Sequence, residues 1–201
     1  MTNLVLASLR RLVVDLTSLG ERWALVGGFA VSARAEPRFT RDVDVCLLAA
    51  DDAAAESVVL ALRDRGYEAS TIVEQENTGR LATVRMLSPI ESGVVVDLLF
   101  ASSGVELEVI DGAEVVEVLP GLDLPVARAG HLVVLKLLSQ DETRPQDSAD
   151  LRALLSHLAA ADRAEAVRLA HLIVRRGYHR ERDLVGLTES YLASLDPSAR
   201  G

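Results

Sequence analysis

The chain has 201 residues, and its 49% content of hydrophobic residues can fill the core of one folded domain. This composition excludes an intrinsically disordered chain, and no apolar run is long enough to predict a membrane span or a membrane partner. The net charge of −9 argues against a protein that binds nucleic acid over its whole surface, but it allows a local basic groove. Cys46 is the only cysteine, so no intrachain disulfide can form and a cytoplasmic location is expected.

Hydrophobic spacing predicts the elements in chain order. In the first half it predicts helices over 3–19, 30–35 and 53–65, with strands between them over 23–26 and 42–48. Strands follow over 67–73, 81–87, 94–100, 115–119 and 124–126. The rest of the pattern is helical, over 129–139, 146–160, 162–176 and 180–195. We therefore predict an α+β fold, with a mixed-sheet core over 1–126 and a C-terminal helical region over 127–201 packed on it.

Two aspartates interrupt the strand predicted over 42–48. Asp42 and Asp44 are two residues apart, so on a strand their side chains point to the same face. Two nearby carboxylates either raise each other's pKa or recruit a cation, and oxygen ligands of this kind suit Mg²⁺. The alternative is a strand that begins at the surface with two solvated aspartates.

A third acid lies in a stretch otherwise suited to a buried strand. Asp97 follows Val94-Val-Val and precedes Leu-Leu-Phe100, and an unpaired buried carboxylate there would cost several kcal/mol, so it needs a partner. One candidate partner is an arginine such as Arg85. The other is a metal shared with Asp42 and Asp44, because three carboxylates on neighbouring strands can hold two divalent ions for phosphoryl transfer.

A glycine pair precedes these acids. Gly27 and Gly28 follow the strand over 23–26 and precede a short helix, an arrangement that lets backbone N–H groups approach a phosphate. A Gly-Gly pair alone is more often just a turn. The sequence has neither the GxGxxG pattern of dinucleotide-binding loops nor the GK[ST] ending of a P-loop.

Together these motifs resemble a known family. Gly27-Gly28-Phe-Ala30, followed by Arg38-Phe-Thr40-Arg-Asp42-Val-Asp44, resembles the signature of the AbiEii/MenT-like nucleotidyltransferase toxins of the DNA polymerase β-type superfamily. Asp97 resembles the superfamily's third carboxylate. Lys136 resembles its helical lysine, and Asp147-Ser-Ala-Asp150-Leu151 resembles its later Asp-x-x-Asp-Leu motif. The resemblance covers residues 20–155.

The resemblance implies a metal-dependent transfer of a nucleoside monophosphate from an NTP, with release of pyrophosphate. It implies two Mg²⁺ ions, or Mn²⁺ in their place, and a pyrimidine nucleotide is one candidate donor. The implied acceptor is the 3′ end of tRNA, whose modification blocks translation, and the implied protein partner is a cognate antitoxin.

The resemblance also assigns roles to individual residues. Asp42 and Asp44 would hold both metals, and Asp97 would ligate one and accept the proton of the acceptor hydroxyl. Gly27 and Gly28 would cradle the triphosphate, and Lys136 would contact its outer phosphates, although a lysine that only extends from an apolar helix face to solvent is the alternative.

The remaining motif residues carry weaker signals. Arg38 would reach the phosphates or pair with Glu36, and Thr40 would cap the turn or bind the nucleotide. Asp147 and Asp150 would orient Lys136 or contact a base or ribose, but acids in the first turn of a helix are also favoured by its dipole.

Outside these motifs, the basic cluster Arg175, Arg176, Arg180 and Arg182 either tracks an RNA backbone or forms a solvated face. Glu181 and Asp183 dilute its charge and favour the solvated face. None of the four histidines has the spacing of a metal ligand, and we expect them on helix surfaces.

Two functions compete with the toxin interpretation. The chain could bind a nucleotide as an interaction protein without turnover. It could also transfer the nucleotide to a small molecule, such as an aminoglycoside, or to a protein hydroxyl. Metal-dependent glycosyl transfer is disfavoured, because its Asp-x-Asp motif lacks the upstream Gly-Gly.

Overall fold

The computed structural model of the chain describes residues 2–90, 93–140 and 145–194. Within these ranges the helices are α1 (Thr2–Leu19), α2 (Gly27–Arg34), α3 (Asp52–Arg63), α4 (Glu106–Asp111), α5 (Ala129–Ser139), α6 (Pro145–Ser156), α7 (Ala160–Arg175) and α8 (Leu184–Ala193). The strands are β1 (Trp23–Val26), β2 (Val43–Leu47), β3 (Glu68–Glu74), β4 (Leu81–Leu87), β5 (Val95–Leu99), β6 (Glu114–Leu119) and β7 (Leu122–Val126). The predicted α+β class is confirmed.

All seven strands belong to one mixed sheet, in the order β3-β4-β5-β2-β1-β7-β6. The pairs β2–β5 and β1–β7 are parallel, and the other neighbouring pairs are antiparallel. Strand β2 lies in the middle of this order, and Val43, Val45 and Leu47 are fully buried. Their alternation with Asp44 places the aspartate on the opposite face of the strand, where it can line a site.

A continuous apolar core joins the sheet to the helices. Leu9, Leu12 and Leu16 recur at helical spacing on one face of α1 and are fully buried against α3 and β2. Helix α5 is the hub of the C-terminal half and contacts α2, α6, α7 and α8. The core includes residues on both sides of the boundary expected at 126, so the division into two regions there stays a prediction.

The structure corrects three element predictions. Helix α4 was missed, because its six residues are too few to show helical periodicity. Helix α2 begins at Gly27 rather than at residue 30. The helix predicted from residue 180 begins only at Leu184, because Arg180 and Glu181 have left-handed backbones and Asp183 caps the helix by accepting the N–H of Gly186.

Within the described ranges, no helix is both long enough and apolar enough to cross a lipid bilayer.

His131 is buried, contrary to the expectation that the histidines lie on helix surfaces. It is 1% exposed, and its Nε2 lies 2.9 Å from a carboxylate oxygen of Glu165. Burial lowers the pKa of His131 despite this carboxylate, and the nearby positive charges of Arg128 and Arg168 act in the same direction. The histidine is therefore held neutral in the folded protein at neutral pH.

We expect His131 to lower the stability of the folded protein as the pH falls from about 7.5 to about 5.5, because the unfolded chain binds a proton at residue 131 that the folded chain does not. A His131→Gln variant keeps an N–H donor but cannot titrate, so its melting temperature should fall less over this range. Thermal unfolding at the two pH values measures the difference.

His157→Gln is the matched control, because His157 is exposed and should leave the pH dependence unchanged. An equal fall in melting temperature for wild type and His131→Gln would show that His131 does not cause it.

Candidate active site

Asp44 and Asp97 lie side by side on the parallel strands β2 and β5. The register pairs Asp44 with Asp97, and both side chains line the same pocket. Asp42, two residues before Asp44, lines the pocket as well. The structure thus brings together the three carboxylates that the sequence analysis proposed as metal ligands.

The electrostatics of the three acids reflect this proximity. Burial, together with the charges of Asp97 and Asp42, raises the pKa of Asp44 to about 6, while Lys136 opposes the shift. The pKa of Asp42 is also raised, first by burial and then by Asp97. Negative charge is therefore concentrated at this point of the sheet, as is typical of a site that receives a cation.

Arg85 already pairs with Asp97. It lies opposite Asp97 on β4, and its Nε and Nη2 donate to the two carboxylate oxygens at 2.8 and 2.7 Å. The arginine partner offered by the sequence analysis is thus present. Among the described residues, no group of three or more His, Cys, Asp or Glu side chains is arranged to hold a metal ion. A metal ligated by Asp97 would have to share that carboxylate with Arg85.

The glycine turn packs directly against Asp44. Gly27 is the first residue of α2 and has a left-handed backbone, with φ of 61°. A Cβ atom there would lie 2.0 Å from Oδ2 of Asp44, so any larger residue would collide with the carboxylate. The backbone N–H of Gly28 stabilises the charged form of Asp44. The N-terminus of α2 thus faces the acids, and its dipole favours negative charge there.

A second network surrounds Lys136, the only lysine of the chain. Its Nζ lies 2.8 Å from Asp147 and 2.9 Å from Asp150. Arg38 also binds Asp150, with its Nη2 donating at 2.9 Å, so its partner is Asp150 rather than Glu36. Asp150 is fully buried, and Lys136 is only 17% exposed. Lys136 is therefore fixed by two carboxylates, which excludes the interpretation that it merely extends to solvent.

Two polar atoms of this region differ in their hydrogen bonding, the hydroxyl oxygen of Thr40 and Oδ2 of Asp147. The hydroxyl of Thr40 donates to the carbonyl oxygen of Asp42 at 3.2 Å, so it caps the turn before β2. Oδ2 of Asp147 is buried without a hydrogen-bond partner among the described residues. It is an acceptor that a ligand in the pocket could satisfy.

The pocket above the acids has a volume of about 630 Å³, within the usual range of ligand sites. Its first wall is formed by Gly27, Gly28, Arg38 and Lys136. Its second wall is formed by Arg85, Ser102, Ser103 and Arg180, from β4, the loop after β5 and the turn between α7 and α8. The sequence analysis did not assign Ser102 or Ser103 to the site, because they are distant in sequence from its motifs and belong to none. It named Arg180 only in the basic cluster, for which it favoured a solvated face.

The comparisons with known proteins agree with this architecture. Residues 10–198 match the model of the family described as "Nucleotidyl transferase AbiEii toxin, Type IV TA system". No curated protein shows significant sequence similarity to the chain.

Solved structures are similar at low sequence identity. An antigenic nucleotidyltransferase-like protein from Paracoccidioides brasiliensis is 14% identical, with a TM-score of 0.51 over 96% of this chain and 91% of that one. A putative nucleotidyltransferase from H. pylori is 14% identical, with a TM-score of 0.48 over 95% and 92% of the two chains. ANT(2")-Ia in complex with adenylyl-2"-tobramycin is 15% identical, with a TM-score of 0.49 over 97% of each chain. The predicted polymerase β-type nucleotidyltransferase fold is confirmed.

Gly27→Ala should destabilise the protein by about 3 kcal/mol, because it adds a steric clash with Asp44 to the strain of a left-handed alanine. Chemical denaturation measures the change in the free energy of unfolding.

Gly79→Ala isolates the backbone contribution, because Gly79 has a φ of 66° but open space around its Cβ position. It should cost only about 1 kcal/mol. Equal costs for the two variants would contradict the proposed contact between Gly27 and Asp44.

Lys136→Met should lower the free energy of unfolding by about 3 kcal/mol, because it leaves the buried carboxylates of Asp147 and Asp150 without their shared cation. Adding Asp147→Asn to this variant should recover part of the loss, since the uncompensated charge of Asp147 is then removed while Asp150 keeps its pair with Arg38. Denaturation of the single and double variants tests this, and a loss below about 1 kcal/mol in the single variant would show that the network contributes little.

Proposed function

Since the chain belongs to the AbiEii nucleotidyl transferase toxin family and is an NTP-dependent nucleotidyltransferase, we propose that it modifies the 3′ end of tRNA. In this proposal it transfers a nucleoside monophosphate from the NTP to the terminal hydroxyl in a metal-dependent reaction. The product blocks translation, and a cognate antitoxin restrains the enzyme. The observation that carries the reaction class is the register of Asp44 with Asp97 beside the N-terminus of α2.

The donor set suits a divalent cation. Carboxylate oxygens are the ligands that Mg²⁺ prefers, and the charges of Asp97 and Asp42 add to burial in raising the pKa of Asp44, which a bound cation would oppose. Asp42, Asp44 and Asp97 would hold Mg²⁺ or Mn²⁺, with Asp97 partly released from Arg85. When bound, such ions neutralise the charge of the phosphates and of the reacting oxygens.

The first wall of the pocket would bind the triphosphate. The backbone N–H groups of Gly27 and Gly28 lie at a helix N-terminus, which favours phosphate. Lys136 has three N–H donors, and the two carboxylates that hold it leave one for a phosphate oxygen. Charge that develops on the leaving pyrophosphate would be stabilised by this ammonium.

The two acids of the lysine network have different proposed roles. Asp150 contacts Arg38 and Lys136 and is fully buried, so it would position the two cations rather than touch the nucleotide. Asp147 keeps one buried oxygen without a partner among the described residues, so it could accept a hydrogen bond from a ribose hydroxyl or base N–H. Thr40 would stabilise the turn that carries Asp42.

Transfer itself needs one bond to form and one to break. The acceptor hydroxyl oxygen forms a bond to the α-phosphorus, and the bond from that phosphorus to pyrophosphate breaks. Asp97 would take the hydroxyl proton, because it lies next to Asp44 on the neighbouring strand.

We expect tRNA incubated with the protein, a divalent cation and one labelled NTP to gain a nucleotide at its 3′ end. Separate reactions with each NTP identify the donor, and gel electrophoresis of the RNA detects the product. Chelation with EDTA should abolish transfer, and added Mg²⁺ or Mn²⁺ should restore it. Asp44→Asn should lower the rate by more than about 100-fold, because it removes charge at the reacting centre.

Asp123→Asn is the matched control, because Asp123 is an exposed acid on β7 and should keep wild-type activity. Unchanged transfer in Asp44→Asn would refute the role of the acids. Label on a small molecule or protein would retain the reaction but replace tRNA as the acceptor, and absence of all transfer would favour a nucleotide-binding protein without turnover.

A further inference from the structure

Arg180 is held over the pocket by a strained turn. Arg180 and its neighbour Glu181 have left-handed backbones, with φ of 52° and 58°. Each non-glycine residue in this conformation costs about 1 kcal/mol or more, so surrounding contacts must hold the turn. Nη2 of Arg180 donates to the carbonyl oxygen and hydroxyl of Ser102, at 3.1 and 3.4 Å.

The contacts that hold this turn are extensive. Tyr178 packs so closely on Gly104 that a Cβ there would lie 2.5 Å from its ring. Arg176 binds both carboxylate oxygens of Glu108, at 2.8 and 3.0 Å. Both contacts join the turn between α7 and α8 to the segment that follows β5.

The loop that receives Arg180 is itself rigidly anchored. Ser103 donates its backbone N–H and its hydroxyl to the buried carboxylate of Glu106, at 2.6 and 2.8 Å. Ser102, the partner of Arg180, directly precedes this anchored residue. The position of the guanidinium in the second wall is therefore fixed by both the turn and the loop.

Arg180 differs from Arg38, Arg85 and Lys136 in its charge balance, and shares this feature with Arg41, which also lines the pocket without an ion pair in the described ranges. Arg38 pairs with Asp150, Arg85 with Asp97, and Lys136 with Asp147 and Asp150. Arg180 forms no ion pair with any residue in the described ranges, and its hydrogen bonds go to neutral oxygens. Burial and the charge of Arg182 lower its pKa, which agrees with a guanidinium that lacks a direct counter-charge. Its position and charge favour an anion in the pocket beside it.

The positions of the two walls relative to the sheet indicate whether this anion belongs to the NTP or to the acceptor. The glycines of the first wall lie at the start of α2, after β1, and Lys136 lies on α5, whereas Arg85, Ser102 and Ser103 of the second wall lie beyond β2, on β4 and after β5. The turn that carries Arg180 reaches the end of α5 as well, because Arg182 donates to the carbonyl oxygens of Leu137 and Gln140. The guanidinium of Arg180 itself is held on the second side, by Ser102. If the triphosphate occupies the first wall, as proposed above, the second wall faces the acceptor. A cation there attracts phosphate and repels a polyamine acceptor such as an aminoglycoside.

We propose that Arg180, fixed by Ser102, is a binding residue for a backbone phosphate of a polynucleotide acceptor. This inference rests on the proposed function, because that proposal places the triphosphate at the first wall and so leaves the second wall to the acceptor. Because the protein as a whole carries a charge of −9, a local cation of this kind is needed to offset the repulsion of RNA.

The test measures RNA binding without turnover. A single-stranded oligoribonucleotide with a 5′ fluorescent label and a free 3′ hydroxyl is titrated with wild type and with Arg180→Gln, over a range of salt concentrations and without NTP. Arg180→Gln should weaken binding about tenfold at low salt and reduce the slope of log affinity against log salt by about 0.7, because one phosphate contact is lost.

Two variants separate this contact from other effects. Arg180→Lys keeps the charge and should retain most of the salt slope. Arg175→Gln removes a charge from an exposed arginine of the same basic cluster outside the pocket and should behave as wild type. In a transfer assay, Arg180→Gln should raise the KM for RNA and leave the KM for NTP unchanged.

Equal salt slopes for wild type and Arg180→Gln, an equal loss in Arg175→Gln, or no RNA binding by wild type would each overturn the inference. A rise in the KM for NTP alone would place Arg180 with the nucleotide and overturn it as well. If the slopes differ but no nucleotide is transferred to any RNA, the phosphate contact stands and the proposed transfer reaction fails.

Discussion

The site depends on the repulsion between carboxylates that β2 and β5 hold next to each other. Two parallel strands in fixed register leave Asp44 and Asp97 no freedom to separate, and their repulsion adds to burial in raising the pKa of Asp44. Arg85 pairs directly with Asp97, whereas the charged form of Asp44 is stabilised by Lys136 and by the backbone N–H of Gly28. A fold that keeps such an arrangement favours a cation at this point of the sheet.

The network around Lys136 fixes the positions of the cations next to these acids. Asp150 joins Arg38, in the segment after α2, to Lys136 on α5, and Asp150 itself belongs to α6. Three chain segments thus meet at one buried carboxylate, so the cations of the first wall are positioned before any substrate arrives. The second wall is positioned differently, by packing of Tyr178 on Gly104 and by a strained backbone at Arg180. Preorganised charges of this kind need little rearrangement during a reaction.

The sequence predicted the parts of this site that are local. Asp42 and Asp44 share a face because of strand alternation, and Gly27-Gly28 marks a helix start, so both are visible in a few residues. The sequence could not decide whether Arg85 or a metal is the partner of Asp97, because the answer depends on the pairing of β4 with β5. Arg180 was named only as part of a basic cluster for which a solvated face was favoured, since only the folded chain brings the turn after α7 to the loop after β5. The Asp183 cap could have indicated that α8 begins after Arg180, whereas the burial of His131 follows from tertiary packing alone.

The presence of a single lysine has a practical consequence. Although burial lowers the pKa of Lys136, its hydrogen bonds to Asp147 and Asp150 outweigh this effect and raise that pKa. An amine-reactive acylating reagent attacks only an uncharged, accessible amine, so the side chain is shielded while its two carboxylates hold it. The rate of acylation at this lysine side chain therefore reports the moments when the network opens, without introducing any probe into the protein.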